Sequence, residues 1–232
     1  MKAIIDRNKV GRLAQLSNIG SIGGLVLLLA SVLLPLFQSK LAGYSLWLMI
    51  LGLGIAMVGI YFANRWVRKP RPEDVLDKAL KSVTDTYHLY HYPSLPCDHL
   101  LLTPTGVVLL ETVNLGGIFT YKNGHWKENM TFGRALRYIV EEHLGDPIKA
   151  TLQAESQVQT RIRQEVSTGM TIPIRSIIVF THPAVDLEVK DAPIPVCMAD
   201  KLRKLVATEG SKLDQNIYDR LDVFFEKLTR NR

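Results

Sequence analysis

The chain has little to hold it together covalently and lacks the short motifs of several familiar chemistries. Of its 232 residues two are cysteine, Cys97 and Cys197. Neither has a partner at metal-ligand spacing, so a disulfide framework and a zinc module are excluded and both read as free thiols. No Gly-x-x-x-x-Gly-Lys phosphate loop and no Gly-x-Ser-x-Gly nucleophile turn occurs, which leaves an ATPase or a serine hydrolase no residues to stand on. Charge is missing too: between Leu13 and Asn64 the one charged residue is Lys40. The length suits one domain core with an appendage, not two catalytic domains.

The uncharged stretch contains two apolar runs. Residues 19–37 and 44–63 are 19 and 20 residues long, each close to the ~20 a helix needs to cross a ~30 Å hydrocarbon layer. The connection at 38–43 is too short for anything but a turn at one membrane face, so the runs predict a transmembrane helical hairpin. A cleaved signal peptide fits less well, because the first apolar core is too long and no small-residue cleavage site follows. Four Lys or Arg precede the first run (Lys2, Arg7, Lys9, Arg12) and four follow the second (Arg65, Arg68, Lys69, Arg71), against Lys40 in the turn. That asymmetry predicts a cell-membrane protein whose termini and soluble domain are all cytoplasmic. Gly20, Gly23 and Gly24 in the first run and Gly52, Gly54 and Gly59 in the second offer places for close helix approach. Neither run carries an acid, Lys, Arg or His, so a channel or transporter has no ion path.

The net charge of +6 is confined to these flanks. From Pro72 onward 19 basic residues face 21 acidic ones. The basic pI therefore reports membrane topology and is no sign of a nucleic-acid surface.

The remainder reads as an α/β domain. Glu73 and Asp74 open a helix with Val75, Leu76, Ala79, Leu80 and Val83 at helical spacing, acids at the end its dipole favours. A strand is expected over 87–95. Residues 100–102 and 107–110 are apolar on both faces and read as central strands joined by the Thr103–Gly106 turn. Residues 118–122 and 125–127 flank Asn123-Gly124, a type I′ hairpin signal, and add two strands to the sheet. A helix is expected over 134–144, and another from Asp146-Pro147, an N-cap followed by Pro at the first helical position, with a buried stripe of Ile148, Leu152, Val158 and Ile162. Residues 175–181 form the last clear strand. Two amphipathic helices close the chain, the final one with Ile217, Leu221, Phe224, Phe225 and Leu228 inward. The divisions are a basic N-terminus at 1–18, the hairpin at 19–63, a basic linker at 64–72, the α/β domain at 73–187 and a helical extension of it at 188–232.

Centring the first hairpin between Pro104 and Thr105 makes paired residue numbers sum to 209. Asp98 then falls opposite Glu111, with Cβ atoms ~4.5–5.5 Å apart. Like charges so placed repel, and something must neutralise them: a divalent cation held by both, backbone amides at a strand end, or a register that differs by one. His88 and His91, three apart on a strand, face opposite sides and read as ordinary hydrogen-bonded histidines.

Asp98-His99-Leu100, Thr105-Gly106-Val107, Glu111-Thr112-Val113-Asn114, the Trp126 that follows Asn-Gly, and Asp146-Pro147 with Gln153-Ala154 resemble the nuclease-related domain, NERD, of the restriction-endonuclease-like PD-(D/E)xK superfamily. The similarity covers about residues 73–187. It implies an endonuclease-like central mixed β-sheet flanked by helices. It also implies that Asp98 and Glu111 hold Mg²⁺ or Mn²⁺, with Glu73 as the family's helical acid and Gln153 as its helix glutamine. The family's lysine, two residues after the second carboxylate, activates or positions the attacking water; here Val113 stands in its place.

Residues i and i+2 of a strand point the same way, so a valine at 113 puts neither charge nor proton acceptor where the chemistry needs one. A missing base or charge stabiliser commonly costs ~10²-fold or more. Lys122, on the next strand, is the nearest substitute by sequence. Three readings stand: a catalytically degenerate nuclease-fold module, a pseudoenzyme that binds or scaffolds; an active metal-dependent endonuclease on DNA or RNA using a displaced basic residue; and a membrane assembly or docking factor. Their partners are membrane lipid, nucleic acid and an unidentified protein.

Overall fold

Two long helices follow the first six residues: α1, Arg7–Phe37, and α2, Ala42–Trp66. The structure, a computed structural model, describes residues 1–38, 40, 42–129, 143–166, 172–207 and 211–230. The described residues divide into two compact units, one built on residues 1–6, 72–129 and those from 144 on, the other on residues 7–71. Both helices are long and apolar enough to cross a membrane. They pack as a hairpin through their small residues. A Cβ added at Gly24 would lie 2.5 Å from the Ala56 nitrogen, and one at Gly59 2.3 Å from the Ser21 nitrogen. The backbones therefore meet where no larger side chain fits. The Ser17 hydroxyl donates to the Gly59 carbonyl at 3.1 Å and the Ser45 hydroxyl to the Ser31 carbonyl at 2.5 Å. A Cβ added at Gly23 or Gly54 would meet nothing within 4 Å, so neither position requires glycine for the packing of the pair.

The other unit is mixed α/β. Its strands are β1 (Lys2–Ile5), β2 (His88–His91), β3 (His99–Thr103), β4 (Gly106–Val113), β5 (Gly117–Lys122), β6 (His125–Asn129), β7 (Ile174–Phe180), β8 (Val185–Val189) and β9 (Val196–Met198). Its helices are α3 (Pro72–Leu80), α4 (Pro147–Val166), α5 (Leu202–Val206) and α6 (Gln215–Arg230). A six-stranded sheet has the order β1-β2-β3-β4-β7-β9, and a separate three-stranded sheet the order β6-β5-β8. β2, β3 and β4 are antiparallel neighbours, whereas β1–β2, β4–β7 and β7–β9 are parallel. Tyr90, Leu100, Leu102 and Leu109 pack with Val158 and Ile162 of α4 and Leu221 and Phe225 of α6. Leu89, Leu101, Val108 and Leu110 pack with Leu76 and Leu80 of α3 and Leu202 and Val206 of α5. The central sheet is thus covered on both faces, which is why its middle strands read as continuous apolar runs.

Local chemistry sets the turns. Gly106, at φ 148°, closes the β3–β4 turn, where a Cβ would lie 2.4 Å from the Pro173 carbonyl. Asn123 and Gly124 both have positive φ, 53° and 80°, as the type I′ turn requires. Asp146 caps α4, its Oδ1 accepting from the Lys149 amide at 3.1 Å.

Several expectations are corrected. Within the basic N-terminus at 1–18, Lys2–Ile5 form a strand of the central sheet, and α1 starts at Arg7. Four residues are too few for a period-2 signal, and the residues from 7 to 18 continue the helix because most are good helix formers, though not apolar ones. The first soluble helix ends at Leu80 and the strand after it at His91, both shorter than expected. The Asn-Gly hairpin does not extend the central sheet; it pairs with β8 in the second one. Residues 175–181 are not the last strand, since β8 and β9 follow, and the extension at 188–232 supplies the outer strand β9 as well as helices. Leu152 is exposed, and Thr151, Ala154 and Val166 share the buried face of α4 instead. In α6 the innermost residues are Leu221, Phe225 and Thr229. The helix expected over 134–144 lies almost wholly outside the described residues.

Candidate active site

The β3–β4 register is the one the turn predicts. His99 pairs with Leu110, Leu101 with Val108 and Thr103 with Gly106, every pair summing to 209. Continued by one residue, it brings Asp98, in the bend before β3, across from Glu111 of β4. Both are half-buried. The Asp98 backbone is pinned, its carbonyl accepting from the Tyr92 amide at 2.6 Å. Alternation puts Leu109, Glu111 and Val113 on one face of β4, the face that α4 covers through Val158 and Ile162.

Val113 is 8% exposed and packs in an apolar cluster with Leu115, Phe119, Ile148, Ile178 and Phe180. Its carbonyl accepts from the Thr181 amide at 3.0 Å. Position 113 is therefore part of the hydrophobic core. Lys122 is exposed at the hairpin end of β5, where its charge helps, together with the dominant Lys190 hydrogen bond, to hold Glu188 below the usual carboxylate range. Gln153 is also exposed. It lines an open cleft of about 440 Å³ with Tyr121, Asp146, Lys149 and Ser156.

Glu73 sits on α3, whose inward stripe also carries Leu76 and Leu80, so it approaches the sheet from the face opposite Glu111. It is 2% exposed and its Oε2 accepts from the Tyr92 hydroxyl at 2.7 Å. One turn on, Asp77 Oδ1 lies 3.1 Å from His91 Nε2, and His91 Nδ1 lies 2.8 Å from His99 Nδ1. An ionised Asp77 only accepts, so His91 donates through Nε2; a neutral His91 then offers a bare Nδ1, to which His99 donates. The rings of His91 and His99 are 4.9 Å apart, those of Tyr92 and His99 5.0 Å. The partly exposed Asp77 and the buried His91 and His99 form one hydrogen-bonded run, and the Tyr92–Glu73 pair lies against it through the Tyr92–His99 ring contact, at the sheet end where β2 and β4 finish and β3 begins.

Sequence reasoning missed this run. Pro93 and Pro96 held the signal: they end β2 before residue 95 and turn the backbone around, after which His91 falls opposite His99. His88 behaves as alternation requires, on the other face, with Nδ1 2.5 Å from Asp222 Oδ1 of α6. The Tyr90 hydroxyl bonds the same carboxylate. Burial works to raise Asp222, but the hydrogen bonds from Tyr90 and His88, aided by the His88 and Lys2 charges, hold it below its ordinary value. Burial in turn pushes the Tyr90 hydroxyl up, with Asp222 adding to the effect.

Asp98 and Glu111 are donors of the hard-oxygen type that Mg²⁺ and Mn²⁺ take. Among the described residues no group of three or more His, Cys, Asp or Glu side chains is arranged to hold a metal ion. No curated protein and no solved structure shows significant similarity to the chain. Residues 71–181, from the foot of α3 to the end of β7, match the model of NERD, the nuclease-related domain.

Proposed function

We propose that this is a membrane-anchored nuclease-related protein whose domain keeps the fold for binding or scaffolding and has given up phosphodiester cleavage. The observation that carries the reading is Val113. Its side chain is absorbed into the cluster around Phe119 and Phe180, so this residue neither holds nor moves a proton beside Glu111. The Glu73 carboxylate, engaged by Tyr92 and on the opposite face, adds support. On this reading α1 and α2 anchor the chain with both termini and the domain on the cytoplasmic side, and the partners are membrane lipid and a protein.

A second reading, an active Mg²⁺- or Mn²⁺-dependent endonuclease on DNA or RNA, is favoured by the opposed carboxylates. Asp98 and Glu111 would hold the ion, which when bound would polarise a phosphoryl oxygen and lower the pKa of its water. It needs a basic residue from elsewhere, and Lys122 is exposed on β5 of the other sheet.

The test is a nuclease assay on the full-length protein in detergent, with Mn²⁺ titrated by calorimetry into wild type and Glu111→Ala. The expected result is no chelator-sensitive cleavage in either. Cleavage that chelator abolishes and Glu111→Ala removes would overturn the scaffold reading in favour of the enzyme.

A further inference from the structure

Strand β1 stands on the far side of the hairpin from the sheet it joins. It pairs parallel with β2, Lys2 opposite His88 through Ile5 opposite His91. Parallel neighbours need a crossover that leaves one end of the sheet and re-enters at the other. Here α3 is that crossover, and the whole hairpin is inserted between β1 and α3. The chain departs at Asp6, whose amide donates to the His91 carbonyl at 3.3 Å. It returns at Pro72–Glu73, beside Tyr92. Both points lie at the same end of the sheet.

β1 is integral to the domain. Ile4 is 5% exposed and belongs to the core with Tyr90 and Phe225. The Lys2 amide donates to the Tyr87 carbonyl at 3.1 Å, and Lys2 Nζ lies 3.0 Å from Glu226 of α6. Without β1 the β2 edge would present unpaired backbone groups, an open template for another strand.

Resting on the membrane-spanning reading of α1 and α2, we propose that β1 couples hairpin insertion to folding: the domain completes its sheet only in chains whose hairpin ends emerge on the same face of the bilayer. A chain crossing the membrane once would strand residues 1–6 opposite their partner. Sidedness is then enforced by sheet pairing as well as by flanking charge.

Single cysteines at three exposed positions test this in the full chain in membrane vesicles: Ala3→Cys in β1, Lys40→Cys in the turn and Val223→Cys on α6, each labelled with a membrane-impermeant maleimide. Ala3→Cys and Val223→Cys are expected to label from one side and Lys40→Cys from the other. Labelling of Ala3→Cys and Val223→Cys from opposite sides overturns the proposal while leaving a membrane anchor in place. Labelling of all three from one side removes the spanning reading and the proposal with it. A second variant, Ile4→Asp, reads the coupling itself: amide-exchange protection in β2 should fall by about tenfold or more relative to Lys2→Ala. Unchanged protection in Ile4→Asp overturns the coupling even if the sidedness holds.

Discussion

The hairpin and the α/β domain bury opposite kinds of residue. Inside the hairpin are Ser17, Gly24, Ser31, Gly52 and Gly59, while Leu25, Leu29, Val32 and Leu53 are more than half exposed. Inside the domain are Leu89, Leu101, Val108, Phe119 and Phe225. On the membrane-anchored reading, the difference is one of solvent. In water, removing apolar area stabilises by about 25 cal/mol per Å², so the domain hides its leucines. Against hydrocarbon no such gain exists, and helices associate through close backbone approach and hydrogen bonds such as Ser17 to Gly59. The inverted hairpin is what a bilayer-embedded pair needs.

The largest expected effects come from placing a lysine in each region. Val113→Lys buries a charge in the Phe119–Phe180 cluster and should cost several kcal/mol of domain stability, measured by denaturant unfolding, without restoring metal-dependent cleavage. Leu29→Lys alters a residue that is 54% exposed. In an aqueous helix it would be worth less than ~0.5 kcal/mol, but at a span's centre it costs ~3 kcal/mol of insertion free energy. A protease-protection assay that finds Leu29→Lys fully inserted would break the comparison.

Asp222→Ala comes next. It removes the shared acceptor of His88 and Tyr90, and loss of buried hydrogen bonds to a charged group should cost ~2 kcal/mol. Because folding lowers the Asp222 pKa, the unfolded chain binds the proton more readily. This contribution is complete above the carboxyl's ordinary value, 3.8, and is lost as pH falls through the lower folded value. Unfolding curves of wild type and variant should converge in that acid window and stay apart at pH 7.

Gly59→Leu should loosen the hairpin by ~1–3 kcal/mol through overpacking, whereas Gly54→Leu, with nothing within 4 Å, should leave it unchanged. Thermal denaturation in detergent would separate the two. Smallest is the effect at Cys197, whose thiol burial pushes up to about 12. It should resist maleimide at neutral pH in the folded chain and react on unfolding, leaving the introduced cysteines to carry the signal.

Where the signal was local, sequence and structure agree. Turn chemistry at Thr103–Gly106 and Asn123-Gly124 determined both hairpins and the 209 register, since a two-residue turn leaves one pairing. Free thiols at Cys97 and Cys197 and the opposed faces of His88 and His91 were equally legible. At the candidate site the positions of Asp98 and Glu111, each one residue beyond the His99–Leu110 pair, follow from that register, and a valine at 113 in place of a lysine is what the family resemblance implied. The Asp77–His91–His99 chain and the Tyr92 bond to Glu73 could not, because they join a helix to two strands whose pairing the sequence left open.

The sequence by itself determined two apolar helices, the continuous apolar runs of the central strands and the turns that join the hairpins. These follow from composition and from turn chemistry, which act over a few residues. Only the tertiary structure decided that Lys2–Ile5 belong to the sheet, that the Asn-Gly hairpin forms a sheet with β8, and that Glu73 and Glu111 approach from opposite faces. Those outcomes depend on which edges and faces remain uncovered once the core has closed, a quantity no window of sequence contains.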